Sequence, residues 1–125
     1  MQESPFQTRC ELLLDTGQVS PPVVDATLNV IGDIERRYGR HLTEDNAAMF
    51  VTHMLMAFQR LAQNEELHEV PPEMLEEVEP YADTREFVAE TVGRALRPFG
   101  VHVPDAEIAY LTVHLVAIQQ AEGQV

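Results

Sequence analysis

Apolar residues recur at helical intervals along most of the chain, and no run of β-branched residues alternates with polar positions. Segment 43–63 shows the helical pattern most clearly. Its apolar stripe consists of Ala47, Val51, Met54, Leu55, Phe58 and Leu61. Thr43 and the two acidic residues after it are typical of a helix N-terminus. The stripe predicts a long helix that contributes heavily to the core.

Shorter stripes and boundary residues predict three further helices. One is predicted over 6–16. The next has Ser20 as its cap, Pro21 at its first position and Gly39 at its end. The last helix begins near Asp105. Its apolar stripe consists of Ile108, Leu111, Leu115 and Ile118.

An acidic stretch with three prolines, residues 64–83, predicts a connection that contains one short helical turn. Asp83 and Glu86 have the cap-and-third-position spacing of a helix that continues to Leu96. Together these elements predict an all-α fold, a compact bundle of about five helices. Residues 1–125 are expected to form one domain with a core from roughly 6 to 121.

The charge balance narrows the possible functions. The 125 residues include 21 acids and 8 bases, for a formal net charge of −13, and every base is an arginine. This charge disfavours direct nucleic-acid binding and anionic membranes, because both depend on cationic side chains that neutralise phosphates. The absence of lysine excludes Schiff-base chemistry and a phosphate-loop lysine.

The chain has one cysteine, Cys10, which excludes an internal disulfide and suits a reducing compartment. The N-terminus has no basic start followed by an apolar block, so we expect no signal peptide. No segment has the roughly 18 uninterrupted apolar residues that a spanning helix needs. We therefore expect a cytoplasmic protein.

Two histidines interrupt apolar stretches: His53 in MFVTHMLMAF and His114 in EIAYLTVHL. His114 lies at the edge of its helix stripe, and Glu107 falls in line with it two turns earlier. His53 lies opposite the centre of its stripe, on a side shared with Met49 and Met56. That helix is therefore apolar nearly all round. Its second face should meet either a dimer partner or another helix of the same chain.

The default interpretation is that each histidine has a structural role, packing at the edge of the core with its ring held by one hydrogen bond. A metal site is disfavoured because there is no HExxH motif, no cysteine pair and no two histidines three or four residues apart. We expect no metal and no other cofactor. Ser4 and Ser20 stand in poor contexts for nucleophiles, and no residue set supplies nucleophile, base and oxyanion donors, so we expect no enzyme.

The reactive alternative is that an imidazole accepts a phosphoryl group. A neutral ring nitrogen is nucleophilic near pH 7, since the ordinary histidine pKa is about 6.5. Such a site needs an exposed ring whose other nitrogen is held by an acceptor. Glu107 would orient His114, and Arg60 would meet a phosphate placed on His53.

The two histidine-bearing stretches resemble a known family. EIAYLTVHL resembles the motif around the second phosphorylatable histidine of the PTS regulation domain, abbreviated PRD, and MFVTHMLMAFQRL resembles the region around the first. The resemblance covers nearly the whole chain. It implies a five-helix domain, usually homodimeric, whose histidines accept phosphate from phosphocarrier proteins of the sugar phosphotransferase system. His53 and His114 become the candidate phosphorylation sites, and Glu107 and Arg60 match positions that commonly hold an acid and an arginine.

The chain departs from the family pattern in three places. Thr52 stands where Asp often precedes the first histidine, and Pro104 stands where a Ser-type cap is common. The family's RNA-binding, DNA-binding and transporter-like modules are missing. We therefore expect a stand-alone domain that acts in transcriptional or carbohydrate regulation through homodimer or partner contacts, with a possible separate output protein. The motif around His114 departs less than that around His53.

A second interpretation stays open: a helical dimerisation or scaffold domain that retains the PRD fold but receives no phosphate. Thr52 favours it. Solvent exposure separates the two, because buried and fully hydrogen-bonded rings at His53 and His114 would favour the scaffold. The other histidines are expected to be solvated bystanders. They are His41, His68 and His102.

Overall fold

The computed structural model describes residues 5–65 and 72–122, which form six α-helices and no strand. The helices are α1 (Gln7–Asp15), α2 (Pro21–Tyr38), α3 (Glu44–Ala62), α4 (Pro72–Glu77), α5 (Ala82–Leu96) and α6 (Asp105–Glu122). Short 3-10 turns precede and follow α5, at Glu79–Tyr81 and Arg97–Phe99. The predicted all-α bundle is confirmed. It has six helices rather than about five because the acidic connection contains α4.

The helices surround one core. α2 packs against α3 and α5, and α6 packs against α3, α4 and α5. The largest fully buried side chains include Phe6, Met54, Phe58, Leu96, Leu111 and Leu115. The second face of α3 therefore meets another helix of the same chain, α6. One side chain beside that contact, Met49, is 80% exposed.

Local sequence explains where α2 ends and α3 begins. Gly39 adopts a left-handed conformation (φ 64°), and its N–H donates to the carbonyl of Glu35 at 2.9 Å, which closes α2. The backbone N–H of Thr43 donates to Oδ1 of Asn46 at 2.8 Å, which is half of a capping box. Both predicted boundaries are confirmed.

The predicted cap at Asp83 is wrong. α5 begins at Ala82, directly after the 3-10 turn at Glu79–Tyr81, and no side chain caps it. Since the chain enters α5 already helical, the first turn needs no separate cap. Asp83 instead lies within the first turn, where a carboxylate still favours the positive end of the helix dipole.

A polar cluster joins α2 to α5 next to the core. The hydroxyl of Thr91, 1% exposed, donates to Oδ2 of Asp33 at 2.6 Å. Arg36 pairs with the other oxygen of this carboxylate, and Nη1 of Arg94 lies 3.3 Å from Oδ2. The Thr91 hydrogen bond and the two guanidinium groups hold the pKa of Asp33 below its usual range, although partial burial opposes them. The cluster fixes how α5 sits on α2.

α1 is anchored by buried side chains and by one arginine. Phe6, just before the helix, is fully buried, and Cys10 is 5% exposed. Burial raises the pKa of the Cys10 thiol, so this group is a protonated core residue near neutral pH. Arg9 reaches α3, where Nη2 lies 2.7 Å from Oε2 of Glu44 and Nη1 donates to Oγ1 of Thr52 at 2.8 Å. These contacts hold α1 across the first half of α3. None of the helices in 5–65 and 72–122 is long and apolar enough to cross a membrane.

Candidate functional site

The two candidate histidines meet at one place, where α3 lies beside α6. The ring centroids of His53 and His114 are 6.4 Å apart, and their planes differ by 6°. Tyr110, one turn before His114, contacts both imidazoles, at 4.0 Å from His53 and 4.4 Å from His114. Tyr110 therefore links the two imidazoles through a stacked contact with each. Sequence separated the histidines by 61 positions, and the packing of α3 on α6 makes them neighbours.

Glu107 supplies the carboxylate of this cluster. Its Oε1 lies 2.5 Å from Nε2 of His53, and the residue is 4% exposed. The expectation that Glu107 orients His114 is wrong, because its hydrogen bond goes to the other histidine. Seven residues along a helix separate two positions by about 10.5 Å, too far for direct contact between these side chains. The neighbouring helix α3 brings His53 much closer.

The hydrogen bond orients the ring of His53. A carboxylate oxygen accepts, so Nε2 is the donor. Nδ1 makes no hydrogen bond with any residue in the described ranges. In a neutral ring held this way, Nδ1 is the nitrogen that attacks an electrophile.

His114 has a different environment. Its ring stacks with Tyr110 and His53 and makes no hydrogen bond with the described residues. Burial lowers the pKa of His114, and its electrostatic interaction with nearby His53 lowers this pKa further, while the Glu107 carboxylate acts in the opposite direction. His114 is therefore a neutral imidazole at pH 7. It is nucleophilic but not held by an acceptor.

Neither ring is shielded from solvent. The side chain of His53 is 30% exposed, and His114 is half-buried. The criterion that would favour a purely structural role, burial with full hydrogen bonding, is met by neither residue.

Arg60 lies on the same side of α3 as His53 but seven residues further along, about 10.5 Å away along the helix axis. Its side chain makes no hydrogen bond or ion pair within residues 5–65 and 72–122. Met49 and Met56 flank His53 on the same strip of α3, Met49 open to solvent and Met56 half-buried. The rings therefore border an apolar strip with one guanidinium at its far end.

Thr52, the residue that departs from the family pattern, faces away from the rings toward α1. It accepts the hydrogen bond from Arg9, and Thr52 and Glu44 line a groove of about 400 Å³ together with residues of α1. Sequence reasoning missed Arg9. It is 43 positions from Thr52, and no local spacing pairs two residues that far apart.

The remaining histidines lie elsewhere. His41 and His102 are exposed on connections, as expected, and His68 lies outside the described residues. No group of three or more His, Cys, Asp or Glu side chains in the described part of the chain is arranged to hold a metal ion.

A family model, the PRD domain, matches residues 28–118. The chain belongs to the PRD domain family. PRD domains are regulatory domains associated with the phosphotransferase system and generally interact with its components. Comparisons with curated proteins and with solved structures gave no match. The matched range includes the whole ring cluster of this PRD and its carboxylate, whereas α1 with Arg9 precedes it.

Proposed function

We propose that this PRD is a regulatory domain that phosphocarrier proteins of the phosphotransferase system phosphorylate on His53 and His114. The observation that carries the proposal is the hydrogen bond between Glu107 and Nε2 of His53. It orients the ring at a partly exposed position and leaves Nδ1 without a hydrogen bond to any described residue, and a neutral ring in this arrangement is a phosphoryl acceptor. The geometry favours His53 as the first acceptor, although the sequence motif around His114 departs less from the family.

In the proposed transfer, Nδ1 of His53 attacks the phosphorus of a phosphohistidine on the carrier. A new N–P bond forms while the carrier's P–N bond breaks, and the carrier imidazole leaves with the proton on its other nitrogen. The proton on Nε2 of His53 stays between that nitrogen and Glu107, which offsets the positive charge developing on the ring. Glu107 acts as a positioning residue. The modification is stoichiometric, so the domain itself is no enzyme.

His114 is the second acceptor in this proposal. Its lowered pKa keeps the ring neutral, and its half-exposed position gives access to a donor. It lacks an orienting carboxylate, so we expect slower phosphorylation than at His53. This order reverses the one that motif similarity alone suggests.

The output is proposed to be a change of protein contacts. The phosphate adds close to two negative charges at pH 7 beside the apolar strip of Met49 and Met56. Charge placed there weakens packing of that strip against a second copy or a partner, unless an arginine receives it. Arg60 is the candidate receiver within this chain. The reaction belongs to the cytoplasm, where the carriers act, and requires no nucleic acid or membrane.

The second candidate function is a dimerisation or scaffold domain that receives no phosphate. Thr52 supports it, since the residue before His53 carries no carboxylate and its hydroxyl is engaged by Arg9. In that case the ring cluster serves to pack α3 on α6. The apolar strip would then bind its partner constitutively.

The two candidates are separated by phosphate transfer in vitro. The chain is incubated with phosphoenolpyruvate, enzyme I and the histidine phosphocarrier, and then with a panel of sugar-specific carriers. Acid-labile label is expected on wild type, appearing more slowly in His53→Ala, absent when both histidines are replaced by Ala, and unchanged in the exposed control His102→Ala. No label from any carrier would reject the phosphorylated switch and leave the scaffold. Sedimentation with and without phosphate then measures the change in assembly.

A further inference from the structure

We infer that His53 and His114 form a single phosphorylation site, so that one chain carries at most one phosphoryl group on this pair at a time. The inference rests on the proposed function and concerns the regulation of the same site. Under this inference, phosphorylation of one histidine prevents phosphorylation of the other, so their effects do not add. The state of the domain is then set by which ring is phosphorylated.

Distance is the first support. The two ring centroids are 6.4 Å apart, which is shorter than the screening length of about 8 Å at physiological ionic strength. Each phosphoryl group brings close to two negative charges. Two such groups on partly buried, neighbouring rings repel each other strongly, because the protein around them screens less than bulk water.

A third anion lies beside His53. Glu107 is 4% exposed, bonds to His53 and acts electrostatically on His114. A first phosphoryl group would therefore lie near a buried carboxylate, and a second would make a cluster of three anionic groups. No arginine in the described part of the chain makes a hydrogen bond or ion pair with either imidazole or with Glu107, and Arg60, the candidate receiver of one phosphate, lies about 10.5 Å from His53 along the axis of α3. Arg9, on the other side of α3, is held by Glu44.

Packing opposes relief of the repulsion. Tyr110 contacts both rings, so His53 and His114 move apart only by giving up a stacked contact. The hydrogen bond to the Glu107 carboxylate also restrains the ring of His53. Both restraints keep the phosphoryl acceptors close together.

The test uses phosphoramidate, a small donor that needs no carrier docking. A ring nitrogen attacks phosphorus, the P–N bond of phosphoramidate breaks, ammonia leaves, and the proton on the other ring nitrogen stays on the ring. Intact mass and peptide mapping count phosphates on wild type, His53→Ala and His114→Ala. The double variant measures background from the other histidines. We expect one phosphate on the His53–His114 pair in wild type and one on the remaining histidine in each single variant. The fraction of wild-type chains with both histidines phosphorylated should be at least tenfold below the fraction calculated for two independent sites.

A matched pair of variants isolates the charge. His53→Asp and His53→Asn have the same shape, and thermal melting checks that each is folded. Phosphorylation of His114 should be at least threefold slower in His53→Asp than in His53→Asn. If either variant does not fold, the wild-type stoichiometry still decides.

The outcomes are distinct. Two phosphates on the wild-type pair at the level of independent sites would overturn the inference and leave the proposed function standing. Phosphorylation of only one of the two single variants would also overturn the inference. Only one of the two histidines would then accept phosphate, and there would be no second acceptor to compete with it. Absence of any phosphate on the pair, from phosphoramidate and from the carriers alike, would reject the proposed function and this inference together.

Discussion

The carboxylate of Glu107 contacts Nε2 of His53 on α3 and not His114, which follows it by seven residues on α6. The contact gives different surroundings to two histidines that the sequence motifs both mark as candidate phosphorylation sites. His53 is oriented by a carboxylate, whereas His114 is packed on Tyr110 without a hydrogen bond to any described residue. This asymmetry determines what each substitution should do.

Removing the charge of Glu107 tests its positioning role. In a His114→Ala background, Glu107→Gln should slow phosphorylation of His53 by about tenfold or more, the usual effect of losing a carboxylate that orients a histidine. The transfer rate from the carrier is measured with and without the substitution. Gln119→Glu on the same helix is the control. An unchanged rate in a folded Glu107→Gln protein would show that the hydrogen bond only holds the helices together.

Tyr110 should matter through its ring and not through its hydroxyl. Tyr110→Phe keeps both stacked contacts, and we expect stability within about 0.5 kcal/mol of wild type. Tyr110→Ala removes them and should lower the free energy of unfolding by about 3 kcal/mol or more, as large aromatic truncations do. Urea denaturation of both variants provides the comparison. Equal losses in the two variants would assign the effect to the hydroxyl.

Arg9 links α1 to α3 at a partly exposed site. Arg9→Met keeps most of the aliphatic stem and removes the bonds to Glu44 and Thr52, so we expect a loss of about 1 kcal/mol in the free energy of unfolding. The loss should shrink in high salt, because half of the interaction is an exposed ion pair. Urea midpoints at low and high salt check both statements. Arg85→Met on α5 is the control, since Arg85 makes no hydrogen bond or ion pair within the described residues.

Stability should fall on acidification through His114. The folded-state pKa of His114 is lowered by burial and by His53, so below about pH 6.5 the unfolded chain binds a proton that the folded chain does not. Its contribution is present above the unfolded pKa and is lost as pH falls toward the folded pKa. His114→Gln should therefore reduce the loss of stability between pH 7.5 and pH 5.5, with His102→Gln as the exposed control. The same pH dependence in both variants would argue against this effect.

The hydroxyl of Thr91 should stabilise the α2–α5 contact. Thr91→Val is nearly isosteric and removes the bond to Asp33, for an expected cost of about 1 to 2 kcal/mol at pH 7. Since this bond lowers the pKa of Asp33, the cost should diminish as Asp33 becomes protonated at low pH. Thr112→Val is the matched control, because the Thr112 hydroxyl is equally buried but bonds a carbonyl of its own helix. Chemical denaturation at both pH values distinguishes the two threonines.

Helix boundaries were predictable wherever a local residue determines the backbone. Gly39 supplies the left-handed turn, and Thr43 with Asn46 closes the start of α3. The prediction of a cap at Asp83 failed because a 3-10 turn leads directly into α5. The spacing of Asp83 and Glu86 carries no information about that preceding turn.

The site was predictable in its residues but not in its pairing. The resemblance pointed to His53 and His114, and helical spacing put Glu107 in line with His114. Which carboxylate meets which ring depends on how α3 packs on α6, a contact between residues 54 positions apart. Tyr110 was hidden for the same reason: within its own helix it looks like one more apolar position.

The boundary of the family match is not the boundary of the folded unit. A fragment starting at residue 28 would lack Phe6 and Cys10, whose side chains fill part of the core, and would lack the first turns of α2. Its newly uncovered apolar surface would attract other molecules regardless of phosphorylation. Assembly measured on such a fragment would report exposed core and not the behaviour of the domain, so studies of this protein need to keep the segment that precedes the match.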